Sequence, residues 1–235
     1  MRLRAFAEEM ELLAPSALAE DFDTGRIGII VEGKPDIEKV CCALDATPVV
    51  VRQAVAAGAD MLVVHHTPLW KPVTSLTGTT AALMREILSG GLNVYVMHTN
   101  FDHAAGGVND VLADLLGLQN RQPLSLGMVG SCAISLPEIS QRLGGTLRIW
   151  GNLAPTRKLA IVAGSGFDLE IITESQGLGA DTFLSAEMKL SVARASPLPC
   201  IESTHYALEA PAMKHLAAQN GWQYIDDPPL LSVYP

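Results

Sequence analysis

The chain has 235 residues, enough for one large domain or two small lobes with a sizeable core. Hydrophobic residues make up 49% and charged residues 17%, the opposite of a disordered chain, and the 5% aromatic fraction leaves the core to Leu, Val, Ile and Ala. A formal net charge of −9 argues against general nucleic-acid binding, which needs a basic face, but not against an anionic substrate if bound metals dominate the local field.

In chain order, Met1 to Pro15 carries charges interleaved with apolar residues at helical spacing and no apolar core of signal-peptide length. No apolar run approaches the roughly 18 residues of a membrane span, so a cytoplasmic protein is expected. Strands are expected at residues 26–31 and 40–45. Thr47 and Pro48 then suit the N-cap and first position of a helix running to about Ala57. Met61 to His65 reads as a strand covered on both faces, 79–88 as a helix, and 93–98 as the next strand. Val108 to Leu116 reads as a helix ended by Gly117.

The polar stretch from Leu118 to Gly130, with Pro123, reads as a linker. Beyond it, 131–136 and 146–150 look like a pair of strands around a short helix. Strands at 158–163, 181–185 and 199–202 then alternate with helices at 167–176, 187–195 and 206–218, with a turn at Gly164 to Gly166. This rhythm predicts an α/β fold of two similar lobes, about 1–120 and 131–235, with largely parallel sheets flanked by helices. Cys41, Cys42, Cys132 and Cys200 form no C-x-x-C and read as reduced core thiols.

Four places combine a strand end with residues of ligand type, where parallel α/β folds gather their sites. His65 and His66 are adjacent. In extended backbone they face opposite ways, so a turn before Pro68 is needed to bring them together; the plainer alternative is one core and one exposed histidine. Asp102 stands in a loop after the strand ending at His98, as a ligand or as a loop cap. His205 and Glu209 are four apart, on one helical face, sharing either a metal or only a surface contact. Glu187 follows a strand and begins a helix, where it lines a cleft or merely meets the helix dipole. Together, three imidazoles and two carboxylates form a mixed N/O set. Such a set suits Zn, Fe, Mn or Co better than Mg or Ca.

At these residues the chain resembles the Nif-three-like family, also known as GTP cyclohydrolase I type 2 homologues. The resemblance spans nearly the whole chain. It is carried by residues 43–47 (A-L-D-A-T), by 65–72 (H-H-T-P-L-W-K-P), by His98 to Asp102 followed by Gly106 to Asp110, and by 204–209 (T-H-Y-A-L-E). It implies a Nif-three-like fold in its compact form. It also implies two divalent metal ions per subunit, with His65, His66, Asp102, His205 and Glu209 as ligands and the two carboxylates as bridges. His98 falls on a family histidine near the metals, with a supporting or proton-transfer role, and Glu187 is a second candidate for moving protons. A homohexamer is implied as well. The sequence departs from the family pattern at Ser185-Ala186, where no histidine follows Glu187, and at Leu208.

Two functions follow. One is a metal-dependent hydrolase, the metals lowering the pKa of a bound water, acting on a nucleotide or related heterocyclic small molecule. The other is a non-catalytic metal-binding, metal-delivery or protein-interaction protein. No phosphate loop of the G-x-x-x-x-G-K type is present, and Gly164 to Gly166 reads as an ordinary strand-to-helix turn.

Overall fold

The computed structural model describes residues 1–232. Helix α1 (Leu3–Leu13) buries Leu3, Phe6 and Met10, a single helical stripe. Strands β1 (Gly28–Val31) and β2 (Val40–Asp45) lead to α2 (Pro48–Ala56). Thr47 lies in extended backbone there and its side chain accepts from Val50 N, with Pro48 at the first helical position. Next come β3 (Met61–His66), α3 (Gly78–Ser89), β4 (Asn93–Val96) and the short α4 (Thr99–His103). Helix α5 (Val108–Leu116) ends at Gly117 in the left-handed region.

The second half runs β5 (Gln119–Pro123), β6 (Met128–Ser131), α6 (Leu136–Leu143), β7 (Arg148–Trp150), β8 (Lys158–Ile161), α7 (Leu169–Gly177), β9 (Thr182–Ser185), α8 (Leu190–Ala195), β10 (Cys200–Glu202), α9 (His205–Asn220) and β11 (Gln223–Tyr224). Among the described residues no helix is long and apolar enough to cross a membrane.

The chain divides into two compact units. The first is Met1–Ala104 with the stretch from Met213 onward, and the second is Ala105–Ala212. The first holds a sheet in the order β1-β4-β3-β2-β11. Strands β4, β3, β2 and β11 are parallel and β1 is antiparallel to β4. Its core packs Leu62, Val64, Val94 and Val96 against Val51 and Ala54 of α2 and Ile87 of α3. Every residue of β4 is buried, as expected of a strand covered on both faces.

The second unit holds the sheet β5-β6-β8-β9-β10-β7, with a core around Val129, Ala160, Ile172 and Phe183. Here only β8–β9 and β9–β10 are parallel; the β5–β6, β6–β8 and β10–β7 pairs are antiparallel. The prediction of largely parallel sheets therefore holds for the first unit and fails for the second. The reason is connection length: α7 and α8 supply the crossovers that parallel neighbours need, while β5 and β6 are joined by a tight turn.

That turn corrects the reading of residues 118–130 as a linker. Leu124 N donates to Gly127 O, and β5 and β6 form a hairpin. The polarity that suggested a linker belongs to an exposed edge strand, since every residue of β5 is exposed. Residues 131–136 are likewise not a strand beyond Ser131, and β6 and β7 do not pair with each other. The lobe expected to run to the end of the chain stops inside α9. Beyond Met213 the chain returns to the first unit, where Gln223 and Tyr224 pair with Cys41 and Cys42. A two-residue strand is too short to announce itself by alternation. All four cysteines are free, three of them buried.

Candidate metal centre

In the first unit the ligand-type side chains come from successive strand ends. His65 is wholly buried, and its Nδ1 lies 2.8 Å from the carbonyl of Met97, just past β4. A carbonyl only accepts, so Nδ1 carries the proton and Nε2 presents the lone pair. The Nδ1 of His66 meets Asp45 Oδ1 at 2.8 Å, across the β2–β3 register that pairs these two residues. The Nδ1 of His98 meets Asp23 Oδ2 at 2.8 Å. The three rings gather tightly, with centroids 5.0 Å apart for His65–His66, 5.0 Å for His65–His98 and 5.6 Å for His66–His98. One ring nitrogen from each lies within 4.8 Å of the others. Asp102 sits one turn along α4, with Oδ1 3.5 Å from His65 Nε2.

Two local expectations need correction. No turn begins between His65 and His66; β3 runs through both. The rings come together because each Nδ1 is drawn to a different neighbouring strand end, Met97 on one side and Asp45 on the other. Asp102 belongs to a short helix, not a loop, and α4 is held by its buried face of Thr99, Asn100 and Phe101. Asn100 donates to the carbonyl of Ala14, and its Oδ1 accepts from His98 N.

Asp23 escaped the sequence reading. It is fully buried, and burial alone would push its carboxyl up. Hydrogen bonds from His98 and Thr99 outweigh that and hold it below the usual carboxylate range. An ionised Asp23 fixes His98 Nδ1 as a donor. Asp45 was seen only as part of a motif; its role is to orient His66. Acceptors on the far nitrogen of a metal-binding imidazole fix its tautomer and raise its basicity. His65, His66 and His98 each carry one.

In the second unit His205 opens α9. Its Nε2 lies 2.9 Å from Glu209 Oε1, one turn on, and its Nδ1 lies 2.9 Å from Glu187 Oε1. Glu209 is buried, which excludes the plain surface-contact reading. Gly164 explains the closeness of this group. A Cβ there would run into Glu209 Oε1 and come within 3.2 Å of His205 Nε2, and the φ of +67° already favours glycine. The turn at Gly164 is thus not ordinary: it leaves the space that Glu209 and His205 occupy.

Glu187 does not begin a helix. Its φ is +64°, in the left-handed region, and α8 starts only at Leu190. Its neighbour Met188 donates its N–H to Glu202 Oε1 at 3.1 Å. Glu202 is itself buried at the end of β10, bonded to Arg148 and to Trp150 Nε1. This anchored loop delivers Glu187 to His205, the same device used on the histidines of the first unit. The helix dipole has no part in it, and no sequence periodicity marks Glu202 for the task.

The residues fit a metal ion. Imidazoles with one nitrogen committed and one presented, a carboxylate beside them, and a glycine cradle around a His–Glu pair whose carboxylate is buried are what such an ion requires. The profile of the Duf34/NIF3 (NGG1p interacting factor 3) family matches residues 1–221. The chain belongs to this family. Every side chain of the two ligand-type groups falls inside the matched span. Among Duf34/NIF3 relatives, a Streptomyces coelicolor protein named GTP cyclohydrolase 1 type 2 homolog is 31% identical over 249 residues, covering 93% of this chain and 85% of that protein. Reduced HcgD from Methanocaldococcus jannaschii is 27% identical, with a TM-score of 0.80 over 95% of this chain and 96% of that one. A Bacillus cereus protein related to NIF3 shares the fold at a TM-score of 0.85 over 99% of both chains, with 18% identity.

Proposed function

We propose that this protein is a dinuclear metal-dependent hydrolase. In this reading His65, His66, Asp102, His205 and Glu209 would hold the ions. The observation that carries it is the commitment of every Nδ1 at His65, His66, His98 and His205 to a carbonyl or carboxylate. Four imidazoles prepared in this way have no use in a merely packed core. The mixed N/O set suits Zn, Fe, Mn or Co. Bound there, a pair of such ions would act as Lewis acids and acidify water near neutral pH.

The chain's own residues do the rest. With Nδ1 held by Asp23, His98 takes or gives a proton at Nε2. Glu187 is assigned to positioning His205 rather than to moving protons, because its Oε1 is already engaged by His205 Nδ1. The relatives' name supports a nucleotide or a related heterocyclic metabolite as the small-molecule substrate, and the resemblance supports a homo-oligomer. The test is turnover of GTP and a nucleotide panel by metal-loaded protein. Asp102→Ala should lower turnover at least a hundredfold. Metal binding without turnover across the panel would overturn the catalytic part of this reading and leave a metal-binding protein.

A further inference from the structure

A cleft of about 450 Å³ opens in the first unit, lined by Arg26, Ile29, Ile30, Trp70, Lys71 and Pro72 among others. Its size lies in the range of about 300–1,000 Å³ that holds small organic ligands. Trp70 joins the cleft to the imidazole cluster. Its ring meets His98 edge to face, with centroids 5.2 Å apart and planes at 81°. Phe22 meets the same histidine at 6.2 Å. Both aromatic residues keep a large surface in water, 44% for Trp70 and 54% for Phe22. Exposed aromatics flanking a functional histidine are a surface for a planar ring to cover.

The charge of the cleft points the same way. The chain is acidic overall, yet the charged residues lining this cleft are Arg26 and Lys71, and no carboxylate lines it. The Arg26 guanidinium lies 5.8 Å from the Trp70 ring centre and donates to the carbonyl of Phe22. The aromatic floor and the cation are thus held in one arrangement. A planar guanidinium fork with a lysine nearby is suited to a phosphate, and the adjoining ring faces are suited to a flat heterocycle.

We propose that this cleft is a recognition subsite for a phosphate monoester of a planar heterocycle, with the ring against Trp70 and the phosphate at Arg26 and Lys71. The inference rests on the metal-hydrolase reading only in taking His98 as the direction of the reacting end. These three positions are substrate-specificity residues, distinct from the proposed metal ligands.

The test is calorimetric titration of the purified full-length protein with guanosine monophosphate, guanosine and inorganic phosphate. Arg26→Gln and Lys71→Gln should each weaken guanosine monophosphate about tenfold or more while leaving the weaker binding of guanosine unchanged. Trp70→Ala should weaken both, and Trp70→Phe, which keeps a ring, should restore most of the loss. The proposal is overturned if the two cation variants bind guanosine monophosphate like the parent protein, or if inorganic phosphate binds as tightly as the monophosphate. Metal analysis of the same samples separates the two ideas. A full metal complement with no binding of guanosine monophosphate removes the subsite alone. Binding without metal keeps the subsite and removes the metal-centre reading.

Discussion

The two units fix their imidazoles through the same kind of Nδ1 hydrogen bond but build the surroundings differently. In the first, a mostly parallel sheet places the ends of β3 and β4 side by side, and anchors on neighbouring segments fix each imidazole: Met97 O, Asp45 and Asp23. In the second, the sheet is mixed and the His205–Glu209 pair sits on a helix start. Two left-handed backbone positions set its surroundings, φ +67° at Gly164 and φ +64° at Glu187. Both units rely on hydrogen bonds to the imidazoles, and the second depends in addition on backbone conformation. A site of the first kind should degrade gradually under substitution. One of the second kind should fail at single backbone positions.

The sharpest way to break this comparison is Gly164→Ala. The left-handed φ costs about 1–2 kcal/mol for a residue with a Cβ, and the methyl must also displace Glu209. Urea denaturation should show a loss of about 2–3 kcal/mol. Metal retention should fall with it while the first unit's core stays folded. A neutral Gly164→Ala would mean that the second unit is no more dependent on its backbone than the first.

Next in size are the anchors of the first unit. Asp45→Asn and Asp23→Asn leave each histidine in place but remove the charge that orients it. Loss of such a partner costs about 10–100-fold in metal affinity or activity. Competition with a chromogenic chelator would measure this for Asp45→Asn and turnover for Asp23→Asn, and the fold should survive, as the melting curve in chelator would show. An affinity unchanged in both variants would remove orientation from the account.

The smallest effect belongs to a control remote from the histidines. Asp60, at the start of β3, accepts from Lys34 Nζ and from the N–H groups of Glu38 and Lys39. Burial pushes its carboxyl up, but these bonds outweigh it and hold it below its ordinary value near 3.8. A depressed folded-state value adds stability that is fully present above the ordinary value and lost as pH falls through the folded one. Asp60→Asn should therefore cost about 1 kcal/mol at neutral pH. The gap to the parent protein should narrow as the pH falls below the ordinary carboxylate value. A gap that persists there would show that the carboxylate charge is not what matters.

Much of this was legible in the sequence, for physical reasons particular to each element. The buried strands of the first sheet announce themselves as apolar runs, and Thr47-Pro48 marks a helix start that the structure reproduces. His65, His66 and Asp102 are drawn together within the first unit, and His205 and Glu209 within the second, as their motifs imply. What was hidden depends on partners distant in sequence. Asp23 lies in a short 3-10 turn with no strand before it, yet bonds His98 across 75 positions. Glu202 reads as one residue of a three-residue strand, and its hold on Met188 is visible only once β7, β9 and β10 are adjacent. The polar β5 and the two-residue β11 lack the alternation by which strands are recognised.

The central claim is that the five proposed ligands hold one pair of ions, and metal stoichiometry tests it most directly. Elemental analysis of the parent protein should find about two ions per chain. Asp102→Ala and Glu209→Ala, each altering only one unit, should each bring the content below one. If either variant keeps the full complement of the parent protein, the five do not hold the ions together and the dinuclear account is wrong.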